Sequence, residues 1–285
     1  MDLSTAYKEC HQIVKQVGSS FYYGMMLLPQ PKRVALYAIY AWSRICDDAV
    51  DEFTGQAAHQ RLQEAEALLY RAVQPSYLED EHPVVSALGE TIRRYQIPLD
   101  PFEDLLRGMR IDLNPVEFRT FSELERYCEY VAGSVGRLCA YVFGFTDSNA
   151  LRLANQMGIA LQLTNVMRDL KEDIARNRVY IPTEDLETAG YSLTDLRRCR
   201  RTPQFRRMMV QQVERTRAYY RRAAELFPLI ASDARRCLQM IYAVYFELFK
   251  AIEANPEIVL QQRVSLSRTK KIHLIWDALW QKQIG

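Results

Sequence analysis

Apolar residues recur at three- and four-residue spacings along almost the whole chain, and runs that alternate apolar with polar are scarce. A period near 3.6 puts such residues on one helix face, whereas a half-buried strand needs a period of two. The pattern predicts helices over 4–17, 19–28, 31–53, 56–73, 83–95, 101–112, 122–143, 148–177, 203–227, 232–254 and 267–281. Pro31, Pro101 and Pro203 suit first-turn positions, and Ser122 with Glu125 has the spacing of a capping box. Long helices with short connections predict one all-α bundle over 1–285 rather than separable domains. With 285 residues, 48% of them hydrophobic, the chain has material for a sizeable core.

Two segments place carboxylates where a helix does not favour them. In 35–52, ALYAIYAWSRICDDAVDE, the residues Tyr40, Arg44, Asp47 and Asp51 are four, three and four apart and share one face. Asp48 and Glu52 adjoin them, so four carboxylates repel one another within six residues. In 161–182, LQLTNVMRDLKEDIARNRVYIP, a second stripe comprises Gln162, Asn165, Asp169 and Asp173, bordered by Arg168, Glu172 and Arg176. Either stripe alone reads as well as a solvated, salt-bridged helix face. Together they present Asp-x-x-x-Asp twice, more than a hundred residues apart, so only the tertiary fold can bring them together. Facing each other, they would converge four carboxylates on one cavity. Hard oxygen donors of this kind suit Mg²⁺, which keeps waters and shares phosphate oxygens with a substrate. Arg44, Arg168, Arg176 and Arg178 add fork-shaped donors for further phosphate charge. The residues thus predict a diphosphate site. A departing diphosphate leaves a carbocation, so the rest of the cavity should be apolar, aromatic and dry.

These stretches carry a family resemblance that runs over nearly the whole chain. SSFYYGMMLLP (19–29), YAIYAWSRICDDAVDE (37–52), YCEYVAGSVG (127–136), NVMRDLKEDIARNRVYIP (165–182) and RVSLSRTKK (263–271) resemble, in order, the motifs of the squalene/phytoene synthase family. The resemblance implies an isoprenoid synthase bundle with a central cavity. It implies Mg²⁺ held by Asp47, Asp51, Asn165, Asp169 and Asp173. It implies diphosphates and prenyl chains surrounded by Ser20, Phe21, Tyr40, Arg44, Gln162, Asn165, Arg168, Arg178, Tyr245 and Arg263. Tyr127 or Tyr130 is implied to assist proton or cation handling, and the motif leaves that choice open. The implied reaction joins two prenyl diphosphates head to head through a cyclopropyl diphosphate. Two farnesyl diphosphates giving squalene or a related C30 product are the first expectation. Two geranylgeranyl diphosphates giving phytoene are the alternative, and a cyclase acting on one prenyl diphosphate is the alternative of another class. NADPH is required only if the product is squalene. The likeness is to the bacterial type, without the membrane-anchor helix of eukaryotic squalene synthases. Trp42 and Ser43 replace an expected Phe and Cys, and both are expected to lie off the aspartate face.

Other features read more plainly. A net charge of +2 argues against nucleic acid as a partner. The six cysteines include no CxxC pair and are expected as free thiols in a cytoplasmic protein. The four histidines are isolated and expected to be structural. Phe21, Tyr22, Met25 and Met26 form an apolar patch that would serve as core or cavity wall. Gly133 and Gly136 are expected at a close helix–helix contact rather than in a dinucleotide loop. The segment 263–280 sets Arg263, Arg268, Lys270 and Lys271 beside Leu266, Ile272, Leu274, Ile275, Trp276 and Trp280. It fits a terminal helix packed on the bundle, or a peripheral membrane contact.

Overall fold

The computed structural model describes residues 2–17, 20–267, 269, 270, 273 and 274, without the side chains of Val17 and Ser20. Much of the predicted tail and the Ser20 side chain therefore lie outside the described residues. The helices are α1 (Leu3–Val17), α2 (Ser20–Met25), α3 (Gln30–Asp51), α4 (Gly55–Ala72), α5 (Pro83–Tyr95), α6 (Asp100–Asp112) and α7 (Phe121–Cys128). They continue as α8 (Ser134–Phe143), α9 (Asn149–Arg168), α10 (Leu170–Ala175), α11 (Thr183–Ala189), α12 (Leu193–Arg197), α13 (Pro203–Ala223) and α14 (Ser232–Ala254). A π-helix, Glu129–Gly133, joins α7 to α8. The strands β1 (Val116–Glu117) and β2 (Arg178–Val179) pair in parallel, Val116 opposite Arg178.

Pro31, Pro101 and Pro203 occupy first turns as expected. Four expectations need correction. The predicted 148–177 helix breaks at Asp169, whose φ of −98° and ψ of 7° leave the helical region. The 122–143 helix is interrupted by the π-turn. The capping box is Thr120 with Glu123, not Ser122 with Glu125, because the extended backbone at Thr120 frees its hydroxyl to accept from Glu123 N–H. The stretch 178–202, read as a connection, holds β2, α11 and α12.

One apolar core runs through the bundle. Helix α9 is buried around most of its circumference and packs on α13, α8, α14 and the π-turn, so it is the central helix. Its approach to the π-turn and α8 is set by glycine. A Cβ on Gly136 would sit 2.3 Å from the Ala154 carbonyl oxygen, and one on Gly158 2.1 Å from that of Ala132. The expected close contact thus extends to backbone against backbone. On the other side α3 packs on α1, α4 and α5. Trp42 is fully buried there, donating to Ala65 O at 2.9 Å and meeting Phe102 edge-on. A buried charge away from the cavity is fully matched: Asp185 accepts from Arg215 at 2.6 and 3.0 Å and from Gln211 and Gln212 at 2.8 Å. That network ties α11 to α13 and needs no ligand. All six cysteines are free thiols. His11 stacks on Tyr22 and Tyr37, and His82 caps α5.

Candidate active site

A cavity of about 490 Å³ opens between α3, α6, the π-turn, α8, α9 and α14, within the range of small-molecule sites. Its two ends differ chemically. The inner wall is apolar, with Met25, Leu36, Val135, Phe143, Met157 and Ile241 among its residues. Cys139 belongs to this wall, its thiol pushed up to about 12 by burial, and so stays neutral. The mouth is polar and carries Tyr40, Arg44, Asp47, Asp51, Gln162, Asn165, Arg168, Arg178 and Tyr245. Phe21 also lines the cavity, edge-on to Tyr245 at 5.7 Å.

The first stripe survives intact because α3 is continuous and its opposite face is buried. The second does not form one helical face. Asp169 sits at the break between α9 and α10, held by Arg168 at 2.8 and 2.5 Å and by Arg263 at 2.8 Å. Asp169 and Asp173 do not line the cavity but border it. Arg178 crosses between the stripes: one nitrogen donates to Asp51 Oδ1 at 2.8 Å and another to Val50 O at 2.8 Å. Arg176 lies 3.4 Å from Asp51. Arg44 pairs with Asp48 one turn on, not with Asp47. Asp47, Asp48, Asp51, Asp169 and Asp173 thus lie among Arg44, Arg168, Arg176, Arg178 and Arg263, five carboxyl groups beside five guanidinium groups.

The electrostatics of this arrangement leave charge that a cation would balance. Burial and the neighbouring Asp51 push Asp47 up to about 7, and burial with Asp169 pushes Asp173 up to about 7. Asn165 Oδ1 is buried without a hydrogen-bond partner among the described residues. Carboxylates disfavoured as anions and an orphaned amide oxygen are what a hard cation would satisfy. Among the described residues, however, no three acidic, histidine or cysteine side chains stand close enough to surround an ion. The donors fit Mg²⁺ only if waters and substrate oxygens complete its shell.

Three cavity residues were not read from the sequence as functional. Asp112, which ends α6, accepts from Tyr127 at 2.8 Å and Tyr180 at 2.9 Å. Its signal was present: Leu105, Met109 and Asp112 are four and three apart, which puts a carboxylate on an otherwise apolar face. Ser43 lines the cavity, three residues after Tyr40 and four before Asp47, correcting its placement off the aspartate face. Trp42 does lie off that face. Of the two candidate tyrosines, Tyr127 lines the cavity and Tyr130 does not.

Sequence and structure comparisons bear on the same residues. The squalene/phytoene synthase family profile matches residues 14–270. The chain belongs to this family. It is a prenyltransferase of the squalene/phytoene synthase type. It is 34% identical to 15-cis-phytoene synthase of Synechococcus elongatus, across 95% of this chain and 91% of that one. Phytoene synthase of Mycobacterium tuberculosis is 33% identical, across 98% and 92%. Among solved structures, a ligand-bound dehydrosqualene synthase superposes with a TM-score of 0.87 at 28% identity, covering 97% of this chain and 96% of that one. Squalene synthase HpnC of Alicyclobacillus acidocaldarius gives 0.82 at 31%, covering 88% and 94%. The helical fold is that of the isoprenoid synthases.

Arg44 separates a structural from a binding role for the mouth arginines. Its pair with Asp48 is partly exposed and of the kind worth about 0.3–0.5 kcal/mol. Arg44→Gln is therefore expected to leave the melting temperature nearly unchanged. As a charged donor lining the cavity, it should cost kcat/KM ~30-fold, about 2 kcal/mol. Arg44→Lys should recover little, since lysine lacks the planar fork. Steady-state kinetics beside thermal melts check this; early melting with normal turnover of the folded fraction would make Arg44 structural.

Proposed function

We propose that this enzyme joins two molecules of geranylgeranyl diphosphate head to head, through a cyclopropyl diphosphate, to give phytoene. The family catalyses head-to-head condensation of prenyl diphosphates. The observation that carries the reading here is the two-ended cavity, with its acid–arginine mouth and apolar interior. The choice of the C20 substrate rests on the relatives named phytoene synthase, which match at 32–34% identity over nearly the whole chain. They favour the alternative over the initial expectation of farnesyl diphosphate.

Asp47, Asp51, Asn165, Asp169 and Asp173 would hold Mg²⁺, which supplies positive charge against the diphosphate oxygens. Arg44, Arg168 and Arg178 bind and orient the diphosphate as planar donors. Arg178 also holds the Asp51 carboxylate in place at 2.8 Å. Ionisation leaves an allylic cation at the border of mouth and interior, where Tyr40, Phe21 and Tyr245 present ring faces and edges. The apolar wall excludes water, which would otherwise trap the cation as an alcohol. Coupling then sheds two protons and two diphosphates for each hydrocarbon formed.

A second reading has a specific ground. The two solved relatives above are named dehydrosqualene and squalene synthase, so the farnesyl chain remains the competing substrate. NADPH would enter only with squalene as product. The test is incubation with each diphosphate and Mg²⁺, with and without NADPH, and mass spectrometry of the hydrocarbons. We expect a C40 product from the C20 substrate, independent of NADPH. C30 products alone would overturn the chain length. A cyclic terpene from one diphosphate would overturn the reaction.

A further inference from the structure

Asp112 is a carboxylate in the cavity wall that the diphosphate chemistry above does not use. It is 8% exposed. Its Oδ2 accepts from the Tyr127 hydroxyl at 2.8 Å, and its Oδ1 from the Tyr180 hydroxyl at 2.9 Å. The two hydroxyl oxygens are 3.3 Å apart, and their rings stack at 5.3 Å. Phe118 backs both rings. The pairing of β1 with β2 brings Tyr180, on residues after β2, to the end of α6. All three polar side chains line the cavity that holds Asp47 and Asp51. Arg178 is the link between them, since the guanidinium that binds Asp51 also reaches the Asp112 carbonyl at 3.5 Å.

The direction of these hydrogen bonds has a chemical consequence. The Tyr180 proton goes to Asp112, and the Tyr127 proton goes to Asp112 at 2.8 Å with the Tyr180 oxygen as a longer second acceptor at 3.3 Å, so the Tyr127 oxygen can offer only lone pairs to whatever occupies the cavity. An oxygen in that state attracts a cation and accepts a proton. Burial raises Asp112 above the usual carboxylate range, so it holds a proton more readily than an exposed aspartate. Burial also raises Tyr127, so the phenol is not itself a standing phenolate base. The pair works only as a relay.

We infer that Asp112, acting through Tyr127, takes up a proton shed by the coupling cation. The inference rests on the condensation proposed above. In the step, a C–H bond at C1 of the attacking chain, a carbon in 1,3 relation to the cationic centre, breaks and its electron pair closes the cyclopropane ring as the new carbon–carbon bond. The proton passes to the Tyr127 oxygen as the Tyr127 hydroxyl proton passes to Asp112. No oxidant or reductant takes part. Asp112 is the positioning residue and proton sink, and Tyr180 holds its second oxygen.

Asp112→Asn keeps the shape but cannot accept the proton. The experiment measures single-turnover product formation from geranylgeranyl diphosphate and from the same substrate deuterated at C1, in wild type, Asp112→Asn and Asp112→Glu. Melting temperature and KM are measured alongside. Expected for Asp112→Asn is a loss of ~100-fold in rate at near-normal KM, in the range of general base catalysis. Deuteration should slow it more than it slows wild type, because C–H cleavage has become limiting. Asp112→Glu should recover part of the rate. Tyr127→Phe, which leaves the Asp112–Tyr180 bond, should raise the isotope effect likewise and serves if Asp112→Asn does not fold. An isotope effect no larger than wild type in the folded variants, whatever their rate, overturns the relay. A wild type that couples neither geranylgeranyl nor farnesyl diphosphate overturns the proposed function instead.

Discussion

Asp47→Asn should lose at least ~10³-fold in turnover and yet melt higher than wild type in metal-free buffer above pH 7. The two effects have one cause. The Asp47 carboxyl faces the cavity beside Asp51 and Asp48, and burial with these neighbours pushes it from the ordinary 3.8 up to about 7. A group whose pKa rises on folding binds its proton more tightly in the folded state. Its contribution to stability is present below about pH 4 and is lost as pH rises through about 7. Asp173 behaves in the same way. Metal-free wild type should therefore lose melting temperature between pH 5 and pH 8, and Asp47→Asn should lose less. Added Mg²⁺ should reverse the order, because only the ionised carboxylate gains from the cation. Melts in chelator and in Mg²⁺ across this range, with steady-state turnover, check all three statements. An Asn variant that keeps a tenth of wild-type activity would remove Asp47 from the site.

Gly158→Ala should destabilise the fold by about 3 kcal/mol, a fall of about 6–12 °C in melting temperature. Alanine is the better helix former, so propensity alone predicts a gain of about 1 kcal/mol. The packing decides otherwise. The new Cβ would lie 2.1 Å from the Ala132 oxygen and 2.4 Å from its carbonyl carbon, and neither is a flexible side-chain end. Two backbones must separate, and the cavity wall built on α8 and α9 moves with them. Gly55→Ala is the control for a generic glycine effect. It has nothing within 4 Å of its Cβ, and its positive φ of 58° carries only backbone strain. Differential calorimetry of both variants separates the two costs. A Gly158→Ala protein as stable as wild type would mean that α9 can slide away from the π-turn freely.

The sequence made the helices and the first acidic stripe readable because both depend on local periodicity. Residues 30–51 keep a 3.6 period without interruption, so Tyr40, Arg44, Asp47 and Asp51 fall on one face by arithmetic. The break at Asp169 was not readable in this way. Leu163, Val166, Leu170 and Ile174 continue a helical period straight through it. What accompanies the break is a distant group: Arg263 holds the Asp169 carboxylate that a continuous helix would carry along its face. The Asp112 pair was hidden for a related reason. Its partner Tyr180 arrives through a two-residue strand pairing between 116–117 and 178–179, too short to leave an alternating pattern. The capping box was misplaced because Thr120 and Ser122 both have Glu three residues on, and only the extended backbone at Thr120 selects the first. The short helices α11 and α12 carry too few residues for a period to show.

The π-turn at Glu129–Gly133 fixes more than a local shape. It contains one residue more than an α-helical turn would, and each residue rotates a helix by about 100°. Because of it, Tyr127 before the turn and Val135 and Cys139 after it all face the same cavity. Loss of a single residue from 129–133 would restore regular helical pairing and swing Val135, Cys139 and Phe143 a quarter-turn off the wall, while Tyr127 stayed behind. Sequences descending from this chain can therefore vary the side chains along the segment one at a time. They cannot vary its residue count, and an alignment gap here would signal a different catalytic chamber rather than a tolerated loop change.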